Sequence, residues 1–193
     1  MDDGTTTQQL LSWLARSLKS RRKQPFFAFV SYQASHFPYE QGLQIPALFK
    51  PDQLNDDQRA QLTFFFYPRD LSAIMLNRYR NSLAYTDAQI ARVLQFLKNG
   101  GLLQNTVVVI FGDHGELFYE NGHVTHASGL YDAELRVTFT IWGAPGLRGI
   151  LFCTSEFGRS SANGAVAGKD AALRRVPRIC APWPGQPRYP GCE

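Results

Sequence analysis

Cysteine is missing from the first 152 residues. Cys153, Cys180 and Cys192 all fall near the C-terminus, at irregular spacing that outlines neither a disulfide framework nor a zinc site. The body of the chain therefore suits an oxidising or a reducing compartment equally. Long apolar runs are missing too: nothing approaches the roughly 18 consecutive apolar residues that a membrane-spanning helix needs. No charged-then-apolar leader opens a chain that begins Met1-Asp2-Asp3-Gly4, so nothing in the sequence as written directs it out of the cytoplasm. A uniform charge excess is also lacking. The formal net charge is +4, but six bases face three acids beyond residue 149, leaving +1 on the first 149 residues. A nucleic-acid partner would rest on the tail alone, and none is expected.

What is present suits one domain with a real core: 193 residues, 44% hydrophobic and 13% aromatic. Thr5-Thr6-Thr7-Gln8-Gln9 offers hydroxyl caps before Leu10, Leu14 and Leu18, which recur at helical spacing, and a basic exit follows from Lys19 to Lys23. Phe26 to Tyr32 reads as a buried strand that leaves through His36-Phe37-Pro38. Residues 40–69 read as a long surface connection punctuated by Pro46, Pro51 and Pro68, with Phe64-Phe65-Phe66-Tyr67 expected to cover the core rather than line a pocket. From Asp70 to Lys98 the apolar positions keep a period near 3.6, and Asn99-Gly100-Gly101 supplies the stop. Thr106 to Phe111 is a β-branched run expected to be a strand buried on both faces, and Arg136 to Trp142 a third strand nearer a sheet edge. Beyond Gly149, Gly, Ala, Ser, Arg and Pro dominate and apolar periodicity fades. Residues 150–193 are therefore expected to be an irregular tail, either disordered or the product of a shifted reading frame.

The chemistry gathers at strand ends. After Phe111 come Gly112-Asp113-His114-Gly115-Glu116, and ligands in open α/β sheets collect just beyond the carboxyl ends of strands. An Asp-His pair there can point two different metal-ligand atoms into one crevice, although a polar turn with glycines would look the same. His36 stands a few residues past the earlier strand, where a loop histidine before a proline turn is the plainer reading.

The ordered set Gly112-Asp113-His114-Gly115-Glu116, Glu120-Asn121-Gly122-His123, His126 and Leu130-Tyr131-Asp132-Ala133-Glu134-Leu135-Arg136-Val137 resembles the late metal-binding segment of the sulfatase branch of the alkaline phosphatase superfamily. The resemblance spans residues 5–147 and implies a partial domain over residues 1–149. The implied fold is an α/β/α sandwich around a mixed, mostly parallel sheet, incomplete in this chain. It implies Asp113 and His114 as metal ligands, for calcium or for zinc, manganese or magnesium. It implies His36 as a contact to the transferred anion, and His126 as a second anion contact or the acid for the leaving group. His123 either contacts the substrate or orients its loop. Glu116 is either a partner to a ligating imidazole or a solvated acid, and Arg136 a structural ion-pair partner.

The family's nucleophile, a Cys or Ser within Cys/Ser-x-Pro-x-Arg or a Thr in the transferases, has no match here, nor does the acidic ligand after its first strand. Asp2-Asp3 follows no apolar strand. The implied function is that of a metal-dependent sulfuric ester hydrolase fragment with little turnover alone, acting on a sulfate or phosphate ester. The alternatives are a phosphoethanolamine- or phosphoglycerol-type transferase fragment, or a non-catalytic regulatory domain of a bacterial inner-membrane protein. The parent would be periplasmic or held at the inner membrane by an upstream anchor.

Overall fold

The computed structural model describes residues 2–20, 24–40 and 46–143. The expectations for residues 150–193, including all three cysteines and the boundary at 149, lie outside them.

Two helices form the spine. α1 (Asp3–Ser20) packs against α3 (Ser72–Asn99), and the contact is locked at the start of α1 by acids rather than hydroxyls. Asp2 accepts the backbone N–H of Thr5 at 3.0 Å and the Tyr85 hydroxyl at 2.8 Å. The cap is thus Asp2 and not the threonines, which correctly placed the helix but not its first residue; Thr7 is instead buried and bonded to the Tyr32 hydroxyl. Asp3, 1% exposed, accepts the backbone N–H groups of Gln33 and Ala34, so it fixes the path of the chain just before His36.

α3 forms where its periodicity predicts, after a 3-10 turn at Arg69–Leu71, and ends as its glycines predict. Gly101 is left-handed, and Leu102 N–H closes back on the Leu97 carbonyl. A short helix, α2 (Asp56–Ala60), is held by a capping box between Asn55 and Gln58.

The strands depart from expectation in pairing and burial. β1 (Val108–Phe111) pairs antiparallel with β4 (Phe139–Trp142), Val108 opposite Trp142 and Phe111 opposite Phe139. β2 (Leu117–Phe118) pairs antiparallel with β3 (Val124–Thr125). Among the described residues these are the ladders, both two-stranded. β1 is not buried on both faces: Val109 is 45% and Phe111 52% exposed. Phe26 to Tyr32 joins no ladder among the described residues, and Phe27 is 87% exposed. The reason is common to both. A β-branched or aromatic run is buried only if neighbours cover it; among the described residues β1 has one bonded neighbour, and the 26–32 segment meets it at the tilted Phe29–Phe111 ring pair.

The core lies elsewhere, between the first half of α3, the 37–71 region and the β2–β3 hairpin. Tyr39, Leu54, Tyr67, Leu71, Met75 and Val124 form it, with Phe37, Tyr79 and Phe118 packed around. Residues 40–69 are therefore partly core rather than wholly surface. The four aromatics divide: Tyr67 is fully buried, Phe64 half-buried, and Phe65 and Phe66 exposed. α4 (Asp132–Leu135) follows the hairpin and returns the chain to β4.

Candidate active site

Three histidines distant in sequence meet at the seam between core and sheet. The His114 and His126 rings lie 3.8 Å apart between centroids, and His36 stands edge-on to His126 at 5.9 Å. His123 is not among them: it is exposed and stacks on Tyr131.

Each of the three is set by a different device. The His36 turn is gripped from α3 by Arg78, which is completely buried; its Nε donates to the Pro38 carbonyl at 3.3 Å and Nη1 to the Asp52 carbonyl at 3.2 Å. Glu40 supplies the balancing charge. Burial still lowers the Arg78 pKa. His114 follows the end of β1, where Gly115 brings the backbone against α4: a Cβ there would lie 1.9 Å from the Ala133 carbonyl oxygen, so the position admits only glycine. His126 sits between two left-handed residues, Thr125 (φ 60°) and Ala127 (φ 64°), and Tyr39 after the His36 turn is left-handed as well. A β-branched residue in that region is strained and persists only where surroundings impose it, a pattern that concentrates at functional sites. Here the Thr125 hydroxyl donates to the Phe64 carbonyl, and the buried Glu134 carboxylate accepts the N–H groups of Ser128 and Gly129. Nothing in the local sequence announces Arg78, Thr125 or Glu134, because their partners lie elsewhere in the chain or depend on the turn being formed.

Hydrogen bonds at the imidazoles settle which nitrogen is free. His114 Nδ1 lies 2.8 Å from the Gly115 carbonyl and His36 Nδ1 2.8 Å from that of Phe37. A carbonyl only accepts, so each Nδ1 carries the proton and Nε2 is left with its lone pair or, when the ring is charged, a second proton. His126 Nδ1 is engaged by Glu116 at 3.2 Å, whose side chain is only 4% exposed. Glu116 thus partners His126 rather than His114. Burial pushes the Glu116 carboxyl up to about 8, Tyr39 opposing the shift and Glu134 adding to it. Burial lowers the His126 pKa, and His114 and His36 beside it lower it further.

The donor set suits half a divalent-cation site. Donors around such an ion sit roughly 2.0–2.4 Å from it and hence roughly 3–4 Å from one another. Asp113 Oδ1 and His114 Nε2 are 3.8 Å apart, and the Asp113 side chain is 87% exposed beyond the strand end. Among the described residues no group of three or more His, Cys, Asp or Glu gathers to complete a cage. Arg136 pairs with Asp132 one turn away at 3.1 Å and stays outside the cluster.

Comparison with known proteins gives the family of the chain. The model of the sulfatase family matches residues 1–163. The chain is 31% identical over 111 residues to a lipoteichoic acid synthase-like protein, YvgJ, of Bacillus subtilis, covering 58% of this chain and 15% of that one. It is 27% identical over 135 residues to a sulfatase of Formosa agariphila, covering 59% of this chain and 26% of the relative. Over 77 residues it is 36% identical to arylsulfatase K of Bos taurus, 40% of this chain and 14% of that one. The chain therefore spans about a quarter or less of the length of these relatives.

Proposed function

The chain belongs to the sulfatase family, and we propose that it carries the anion-holding half of a metal-dependent centre for hydrolysing sulfuric esters. The observation that carries this reading is the meeting of His36, His114 and His126 beside Asp113 at the end of β1.

Transfer of a sulfuryl group spreads negative charge over its non-bridging oxygens, and donors fixed in advance around those oxygens lower the barrier. His36 and His126 meet that need. Each has Nδ1 committed, to Phe37 and Glu116 respectively; His36 donates to the anion from Nε2 as an imidazolium, and His126 from Nε2 with a proton on that nitrogen. His126, backed by a buried carboxyl, is the group to return a proton to the departing alkoxide. Asp113 and His114 would hold the divalent ion, calcium or zinc, manganese or magnesium, which when bound polarises the ester and activates a nucleophile. His123, stacked on Tyr131, orients its loop. On this reading the nucleophile comes from sulfatase sequence outside these residues. Likewise β1, β4 and the 26–32 segment belong to a larger mixed, mostly parallel sheet in an α/β/α sandwich. The activity belongs to the assembled domain, of which residues 1–149 are the part at hand.

A second reading is supported by the likeness to the lipoteichoic acid synthase-like protein: the same histidines would hold a phosphate ester, in a phospho-transferase of a membrane-associated parent. Among the described residues no helix is long and apolar enough to cross a membrane.

Histidine imidazole NMR separates these readings. Sodium sulfate should move the His36 and His126 signals together and leave His123 in place, with phosphate competing weakly. Phosphate binding more tightly than sulfate would favour the transferase, and a response only at His123 would remove the anion site from this cluster. Manganese broadening should centre on His114, and Asp113→Asn should weaken it about tenfold or more.

A further inference from the structure

The consecutive phenylalanines do two different things. Phe64 touches the histidines: its ring stacks near His36 at 6.0 Å and meets His126 edge-on at 4.9 Å. Phe65 stands edge-on to Phe64 at 4.8 Å and is 68% exposed, while Phe66 is 58% exposed. Large apolar rings tend to leave water, so rings held out in it ask for an explanation.

The turn that presents them is braced. Thr63 and Phe66 exchange backbone hydrogen bonds at 2.8 and 3.2 Å, and the Thr63 hydroxyl also donates to the Phe66 carbonyl. The Thr125 hydroxyl donates to the Phe64 carbonyl at 2.7 Å. Thr125 immediately precedes His126, so the aromatic turn and the histidine loop are joined. Phe64, which meets both imidazoles, carries Phe65 edge-on at its side, so Phe65 stands one ring beyond the histidines.

We propose that the Thr63–Phe66 turn is the leaving-group subsite of the histidine site, with Phe65 and Phe66 receiving the flat apolar part of an ester whose anionic group the histidines hold. The subsite selects sulfate esters of ring-bearing alcohols over bare sulfate and short alkyl sulfates. It rests on the anion-holding role of His36 and His126 proposed above.

The full chain would be titrated with sodium sulfate, ethyl sulfate and phenyl sulfate, following the His36 and His126 imidazole signals. Phenyl sulfate should bind about tenfold more tightly than ethyl sulfate, the scale of one or two ring contacts. The double variant Phe65→Ala, Phe66→Ala should erase that preference and leave the affinity for bare sulfate unchanged. Phe27→Ala, more exposed still but in the 26–32 segment, should change neither. Because the two rings are exposed, the double variant should keep its circular dichroism, and each single variant should show a partial loss of preference. Equal binding of ethyl and phenyl sulfate by the unmodified chain would overturn the subsite while leaving the anion site intact, as would a preference that survives in the folded double variant. No shift with any of the three anions would remove the anion site and the subsite with it.

Discussion

Apolar side chains of the same kinds meet opposite fates on the two sides of the histidine cluster. On one side Tyr39, Tyr67, Leu71, Met75 and Val124 are sealed under α3 and the β2–β3 hairpin. On the other, Phe27, Phe29, Val109, Phe111 and Trp142 line extended chain with one face open. Composition does not distinguish the two sets; cover does. The closed side has a helix across it, with Ser72 of α3 donating to the Phe118 carbonyl of β2 and Arg78 reaching through to the His36 turn. The open side has a two-stranded ladder and the 26–32 segment, which has no ladder partner among the described residues. The histidines sit where the two meet, which lets rigid packing from one side aim groups at space left by the other.

That contrast can be broken at its seam first. Gly115→Ala forces a Cβ into the Ala133 carbonyl, and the expected loss is about 4 kcal/mol or more, since backbone rather than a flexible side chain must yield. Urea denaturation followed by far-UV circular dichroism reads it, and a loss under about 1 kcal/mol would mean the β1–α4 approach is looser than described. On the closed side Met75→Ala should cost about 2–5 kcal/mol, because its 0% exposed side chain leaves a cavity. At the margin of that side, Asn55→Ala removes the side-chain half of the α2 capping box, the acceptor for the Gln58 N–H, for about 1 kcal/mol. On the open side Phe27→Ser should change stability by no more than about 0.5 kcal/mol and improve solubility, measured by the same denaturation and by light scattering. If Phe27→Ser cost as much as Met75→Ala, the difference between the two sides would be gone.

Much of this was legible from residue order. The period of α3 and its glycine stop were read correctly to within a residue or two, as were the existence of β1 and β4 and the ion pairing of Arg136. The family followed from the resemblance carried by the ordered motifs between Gly112 and Val137, and the match over residues 1–163 shows it. The pairing of β1 was less accessible: a run such as Val107-Val108-Val109-Ile110 specifies extended chain and a wish for cover, and both hold for parallel and antiparallel neighbours. The split within Phe64-Phe65-Phe66-Tyr67 was equally hidden, since four adjacent aromatics carry no mark of which will face Met75 and which His126.

By itself, then, the sequence determined the two long helices, the strands β1 and β4 and the chemical identities at their ends, because backbone preference and apolar period act between residues a few positions apart. Only the tertiary structure decided that His36, His114 and His126 share one site while His123 stands aside, and that Glu116 backs His126. It also decided that Arg78 holds the His36 turn and that Phe65 and Phe66 stay in water. Those outcomes rest on contacts between residues far apart in the chain, such as the Arg78–Pro38 and Thr125–Phe64 hydrogen bonds, whose geometry exists only once the core between them has closed.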